Sequence, residues 1–166
     1  MNRRLFLAAL PAALAAGCGF QLRRLDGMPF ASLYIDAPPG NGVGQRIRTV
    51  LVSNKNTRLA ASAGEAEAVL QLGQEERTKV ILSLSGAGRV TEYRLGLRLT
   101  YAVIGKEGHS WAAAESIELT RDMTYDDSQL LAKGAEEQLL YRDMEDNAAL
   151  RIMRRLQSLK PGNGTS

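Results

Sequence analysis

The chain has 166 residues, 45% of them apolar and 23% charged, with 21 Lys and Arg against 18 Asp and Glu. That length suits one domain with a substantial core, and a formal net charge of +3 gives no argument for nucleic acid as a partner. One cysteine and one histidine leave no disulfide framework and no His/Cys set for metal or nucleophile chemistry.

Asn2-Arg3-Arg4 is a small basic region, and Leu5 to Ala16 is an apolar stretch interrupted by Pro11, far below the roughly 20 residues needed to span a bilayer. A cleaved export signal fits better than a permanent anchor. Leu14-Ala15-Ala16-Gly17-Cys18 resembles the bacterial lipobox. Residues 1–17 are therefore expected to be removed, leaving the Cys18 thiol to carry a diacylglycerol and its new amine a third acyl chain. At about 0.8 kcal/mol per buried methylene, such chains make release from a membrane very slow. The rival reading is an ordinary signal peptide with a buried free cysteine. Arg3-Arg4-Leu5-Phe6-Leu7 also looks like a twin-arginine signal, so the export route stays open. Gly19, where an aspartate would retain a lipoprotein at the inner membrane, resembles the pattern sorted to the outer membrane. Cleavage also removes Arg3 and Arg4, leaving 19 basic residues against 18 acidic ones.

Residues 18–30 show little periodicity and read as a lipidated tether, residues 31–160 as one domain and residues 161–166 as a disordered tail. Ser32–Asp36 is a strand candidate ended by Pro38-Pro39-Gly40. Asn41 is a plausible N-cap for a helix carrying Val43, Ile47, Val50 and Leu51. Ala68 to Ser83 is long enough for one extended strand, with Leu70 and Leu72 on one face, before a turn at Ser85-Gly86-Ala87-Gly88. The strongest pattern follows: Tyr93, Leu95, Leu97, Leu99, Tyr101 and Val103 alternate with Glu92, Arg94, Gly96, Arg98, Thr100 and Ala102. One face of that strand is buried and the other meets water or a polar partner. A turn at Gly105-Lys106-Glu107-Gly108 leads to a returning strand with Ile117, Leu119, Met123 and Tyr125 opposite Glu118, Thr120, Asp122 and Thr124.

Asp126-Asp127-Ser128 offers N-caps for a short helical piece, Gln129 to Lys133, which Gly134 is expected to break or bend. From Glu136 to about Leu159, Leu140, Met144, Ala148, Ile152 and Leu156 step by four, joined by Tyr141, Ala149, Met153 and Leu159. Its acids lie early and its bases late, as the helix macrodipole favours. The order predicts an α+β fold: a mostly antiparallel four-stranded sheet with two helices packed on one face.

The sequence offers little for catalysis. His109 sits in a Gly-rich turn beside Trp111 with no second histidine or free cysteine to work with. The adjacent acids Glu75-Glu76, Asp126-Asp127 and Glu136-Glu137 read as caps or solvated faces, and Gly86-Ala87-Gly88 lies between strands, the wrong place for a phosphate loop. Enzymatic function is disfavoured, and no metal or cofactor is expected.

Cys18-Gly19-Phe20-Gln21-Leu22-Arg23, Gly88-Arg89-Val90-Thr91-Glu92-Tyr93-Arg94-Leu95, Tyr125-Asp126, Leu130-Leu131-Ala132-Lys133 and Arg154-Arg155-Leu156, taken in order, resemble the lipopolysaccharide-assembly lipoprotein family LptE. The resemblance implies a non-enzymatic outer-membrane lipoprotein that plugs the large β-barrel LptD and helps deliver lipopolysaccharide to the cell surface. It also implies lipopolysaccharide contact by Lys133, which follows the Leu-Ala pair, and by Arg89, in the hairpin before the Glu-Tyr strand. Physically, cations at a loop tip or helix start compete for lipid A phosphates through charge-assisted hydrogen bonds. Arg77, Lys79, Arg94 and Arg98 are weaker candidates, read as strand-face charges toward solvent or a barrel lumen. The alternative is a lipid-anchored scaffold of another envelope complex, and a third class, a hydrolase, would need His109 or an acid pair.

Overall fold

A computed structural model describes residues 27–53 and 57–159. The leader, Cys18, the start of the tether and the tail all lie outside the described residues. Met28 and Phe30, expected within the tether, are buried members of the core.

Strand β1 spans Ser32–Asp36 and helix α1 spans Gly42–Ser53. Asn41 caps α1: its Oδ1 accepts from the Gly44 amide at 2.7 Å, which satisfies one of the first-turn donors a helix cannot serve itself. Val43, Ile47 and Leu51 are buried at helical spacing, whereas Val50 remains at the surface. The chain then forms the two-residue β2 (Arg58–Leu59) and β3 (Ala68–Leu72), and both pair parallel to β1. This corrects the expected mostly antiparallel four-stranded sheet. Among the described residues six strands, including β4 (Glu76–Leu84), β5 (Val90–Gly105) and β6 (Ser110–Thr124), form a mixed, curled sheet in the order β2-β1-β3-β5-β4, with β6 also paired to β5. The reason is the helix: α1 carries the chain back to the end where β1 began, so the next strand must run parallel to it.

The single strand expected over Ala68 to Ser83 is in fact two, β3 and β4 (Glu76–Leu84), lying one after the other along the same edge of β5 (Val90–Gly105). Between them, residues 73–75 face only Leu99 and Thr100, so one residue bulges out. The bulge has a job. It frees the Gly73 carbonyl to accept from Asn41 Nδ2 at 3.2 Å and lets Glu75 Oε1 accept from the Val43 amide at 2.7 Å. The acid leaves the strand to satisfy a second first-turn donor of α1.

Strand β6 (Ser110–Thr124) runs antiparallel to β5 along nearly its whole length. The alternation fell as expected: Leu95, Leu97, Leu99, Tyr101 and Val103 are buried with Ile117, Leu119 and Met123. After a 3-10 turn over Asp127–Gln129, helix α2 runs unbroken from Leu130 to Ser158. Gly134 does not interrupt it, because a residue in open space costs only its glycine propensity, about 1 kcal/mol, within 29 residues of helix. Asp126 caps the short turn, accepting from the Ser128 amide at 2.9 Å and hydroxyl at 2.8 Å. The α2 stripe of Tyr141, Met144, Ala148, Ala149, Ile152, Met153 and Leu156 packs with α1 and the sheet in one core.

Candidate functional site

Many charged side chains of the body pair with one another. On the sheet face bearing the even-numbered residues of β5, Arg94 meets Asp122 through two bonds of 2.7 and 2.8 Å, and Arg98 meets Glu118 at 3.0 Å. Each pair sits directly across the β5–β6 register, so these two cations are neutralised within the sheet, on a face that also carries Thr100, Thr120 and, in the same register, Glu76 and Glu92. Hydrogen bonding to Arg94 holds the Asp122 carboxyl below its ordinary range.

Arg77 and Lys79 do not join that ladder. Both turn toward α2: Arg77 Nη2 lies 2.5 Å from Glu145 and 3.6 Å from Glu75, and Lys79 Nζ donates to Glu137 at 2.6 Å. Lys79 also lies 4.4 Å from the centre of the Tyr93 ring, which meets Tyr125 edge-on at 5.0 Å. The bond to Glu137 raises the Lys79 pKa. These two cations are fasteners between sheet and helix, which corrects their reading as charges toward solvent or a lumen. Glu145 is buried beside them. Desolvation first, then the nearby Glu75 charge, push its carboxyl up from the ordinary value. On the other side of α2, Asp143 takes Arg121 at 2.7 Å, and Arg155 takes Glu115 at 2.7 Å.

The two candidate ligand cations lie at the same end of the molecule but in unlike settings. Arg89 stands on the β4–β5 turn, which closes with Ser85 N donating to Arg89 O at 2.7 Å and Gly88 N to Ser85 O at 2.9 Å. Gly88 has φ +75°, a conformation that favours glycine. Arg89 is exposed, and among the described residues no carboxylate pairs with it. Lys133, expected at an exposed turn, is in the first turn of α2 with its side chain only 13% exposed. Its Nζ donates to Glu136 at 2.8 Å and to Thr124 Oγ1 at 3.2 Å, pinning the helix start to the end of β6. Thr124 in turn faces Glu92, a few residues from Arg89 along β5.

Four acids of the three adjacent pairs hold the fold together: Glu75 caps α1, Asp126 caps the 3-10 turn, Glu136 holds Lys133 and Glu137 holds Lys79. His109 lies edge-on to Trp111 at 6.2 Å, and Trp111 packs on Phe30 at 5.8 Å.

Sequence reasoning missed the apolar character of the end that carries Arg89. Of the ten large apolar side chains exposed among the described residues, Val80, Ile81, Leu82 and Leu84 lie at the end of β4, and Leu130 and Leu131 at the start of α2. The unbroken run Val80-Ile81-Leu82 was the available signal, since a half-buried strand alternates.

A broad uncovered polar sheet face, and one end that combines a cation without a carboxylate partner among the described residues with exposed apolar side chains, are surfaces suited to binding. The comparisons with known proteins agree. The family model "LptE: Lipopolysaccharide-assembly" matches residues 30–156, and the chain belongs to that family. It is similar to the LPS-assembly lipoprotein LptE of Photorhabdus laumondii, 28% identical over 90% of this chain and 82% of that protein. Its fold is similar to the solution structure of lipoprotein B from Nitrosomonas europaea, with 35% identity, 84% of this chain and 91% of that chain covered, and a TM-score of 0.72. It is also similar to the crystal structure of the rare lipoprotein B from Shewanella oneidensis, at 29% identity, 76% and 94% coverage and a TM-score of 0.66. This is a family of envelope lipoproteins for lipopolysaccharide assembly, not an enzyme family.

Proposed function

We propose that the chain is an outer-membrane lipoprotein, anchored through Cys18, that serves as plug and assembly factor of the LptD β-barrel and contacts lipopolysaccharide directly through Arg89 and Lys133. The observation that carries this reading is the uncovered face of the β5–β6 sheet in a member of this family. A large barrel has a polar interior, and a plug inside it needs a polar exterior whose charges are already neutralised, because burying an unpaired charge is costly. The Arg94–Asp122 and Arg98–Glu118 pairs meet that need for both arginines of this face.

Length supports the same reading. A strand of 16 residues such as β5 extends roughly 50 Å, comparable to the roughly 40–45 Å of a bilayer with its headgroups. The chain enters the fold near Phe30, beside Trp111 and the β5–β6 turn, whereas Arg89 and Lys133 lie at the far end of β5. A body held across the membrane by its partner carries those cations to the leaflet opposite the entry point, where a phosphorylated glycolipid is delivered.

Copurification tests the proposal. Extraction of the acylated protein in mild detergent is expected to bring down a large β-barrel protein in one-to-one amount. Its consistent absence, or a stoichiometric partner of another kind, would replace the proposal with a scaffold for another envelope complex.

A further inference from the structure

We infer that the end of the molecule bearing Arg89 is a two-part lipid site, in which Val80, Ile81, Leu82, Leu84, Leu130 and Leu131 receive acyl chains while the cations hold the phosphates. The inference rests on the proposed lipopolysaccharide contact and adds its apolar half. Strand β4 is exposed on both faces here: Val80, opposite Arg94 on the ladder face, is 52% exposed, and Ile81, opposite Tyr93 on the helix side, is 56% exposed. Leu131 reaches 90%. The tie between Lys133 and Thr124 sets the α2 start at the same end as this strand tip. Six large aliphatic side chains collected at one end of an otherwise charged surface mark an interaction site.

Two features of the tip select the occupant. An exposed strand edge with apolar residues ordinarily invites another strand. Here the β4–β5 register slips between Ile81 and Ser83 and again between Ser83 and Leu84, so the outer edge offers no regular ladder of donors and acceptors. An occupant that needs no backbone hydrogen bonds, such as an acyl chain, is not handicapped by this. The second feature is charge: Arg89, on the turn that joins the two strands, has no carboxylate partner among the described residues. An apolar cap at the same end as a guanidinium without a carboxylate partner complements an anionic amphiphile, phosphate toward the cation and chains over the aliphatic side chains.

The test uses the full-length acylated protein, with its barrel where the two copurify, and two probes: hexa-acylated lipid A, and the same bisphosphorylated disaccharide after complete deacylation. The wild type is expected to bind lipid A at least roughly 10-fold more tightly than the deacylated form, the equivalent of about 1.4 kcal/mol. Ile81→Ser with Leu131→Ser should remove most of that preference while leaving affinity for the deacylated form unchanged. Leu131→Ser alone, at a position 90% exposed, should reduce it in the same direction while leaving the fold intact. Val52→Ser, an exposed apolar position on α1 outside the tip, should change nothing. Equal wild-type affinity for both probes, or a full preference retained by both tip variants, overturns the acyl site and leaves the phosphate contact standing. No binding of either probe by the wild type overturns both.

Discussion

Arg77 of β4 and Glu145 of α2 meet at 2.5 Å although 68 residues separate them, and the contact closes the helix onto the sheet. Glu145 is buried with Glu75 nearby and Arg46 at 3.8 Å as a weaker second partner. Arg77→Ala would leave that carboxylate buried beside another acid. A destabilisation of about 1–2 kcal/mol is expected: more than an exposed pair contributes, and less than a fully buried pair loses, because Arg77 is half solvated and Arg46 remains. Urea unfolding checks it, and Arg98→Ala, which breaks only a solvated pair, should leave the midpoint nearly unchanged.

Glu145 also carries a pH signature. Its folded pKa lies above the ordinary carboxyl value, so between those two values the folded protein binds more protons than the unfolded chain, and stability from this group falls as pH rises. Glu145→Gln removes the effect. The melting temperature of the variant minus that of the wild type should therefore increase as pH rises through the window above the ordinary value of 4.5. Glu115 has the opposite sign. The Tyr101 hydroxyl, at 2.6 Å, and Arg155 hold its pKa below the ordinary value, so its contribution is present above that value and lost as pH falls through the lowered one. For Glu115→Gln the same difference should become more negative as pH rises. A flat difference across pH for both variants would contradict the assignment.

Asn41 serves two elements through one side chain, accepting from Gly44 and donating to Gly73 across the β3–β4 bulge. Asn41→Ala is expected to cost about 1–2 kcal/mol, the upper part of the range for a lost N-cap, because a second partner is also released. Amide hydrogen exchange should show the loss concentrated in the first turn of α1 and at residues 73–75. A cost spread evenly over the fold would argue against the shared cap.

For ligand contact, Arg89→Asp is the cleaner probe, since the side chain is exposed and no carboxylate among the described residues pairs with it. It should weaken lipid A binding by roughly 10-fold or more, as expected for one lost charge-assisted contact, without moving the unfolding midpoint. Lys133→Gln should weaken binding too, with some loss of stability because the pair with Glu136 and the bond to Thr124 go with it. Undiminished lipid A binding by both folded variants would remove these residues from the site.

Local periodicity made much of this fold legible. The bounds of β1, the buried face of β5 and the core stripe of α2 all follow from spacing within a single element, and the Asn41 cap follows from its place before an apolar period. What was hidden depends on distant parts of the chain. The parallel pairing of β1 and β3 is set by where α1 returns the backbone, and the β3–β4 bulge exists because Asn41 and Glu75 join across it. Arg77 and Lys79 read as surface charges because their partners, Glu145 and Glu137, lie on the last helix. The acids of α2, read as matching the helix dipole, are equally the anchors of sheet cations. Of the proposed ligand contacts, the exposure of Arg89 was readable from its turn, whereas the covering of Lys133 required the unbroken helix through Gly134.

The central claim is that the uncovered β5–β6 face meets the wall of a barrel. Thr120 stands on that face between the Arg94–Asp122 and Arg98–Glu118 pairs, exposed and outside the core. A photo-crosslinking residue placed there in intact cells is expected to capture the LptD barrel as the principal product. A folded, membrane-associated protein whose position 120 captures no barrel would contradict the account.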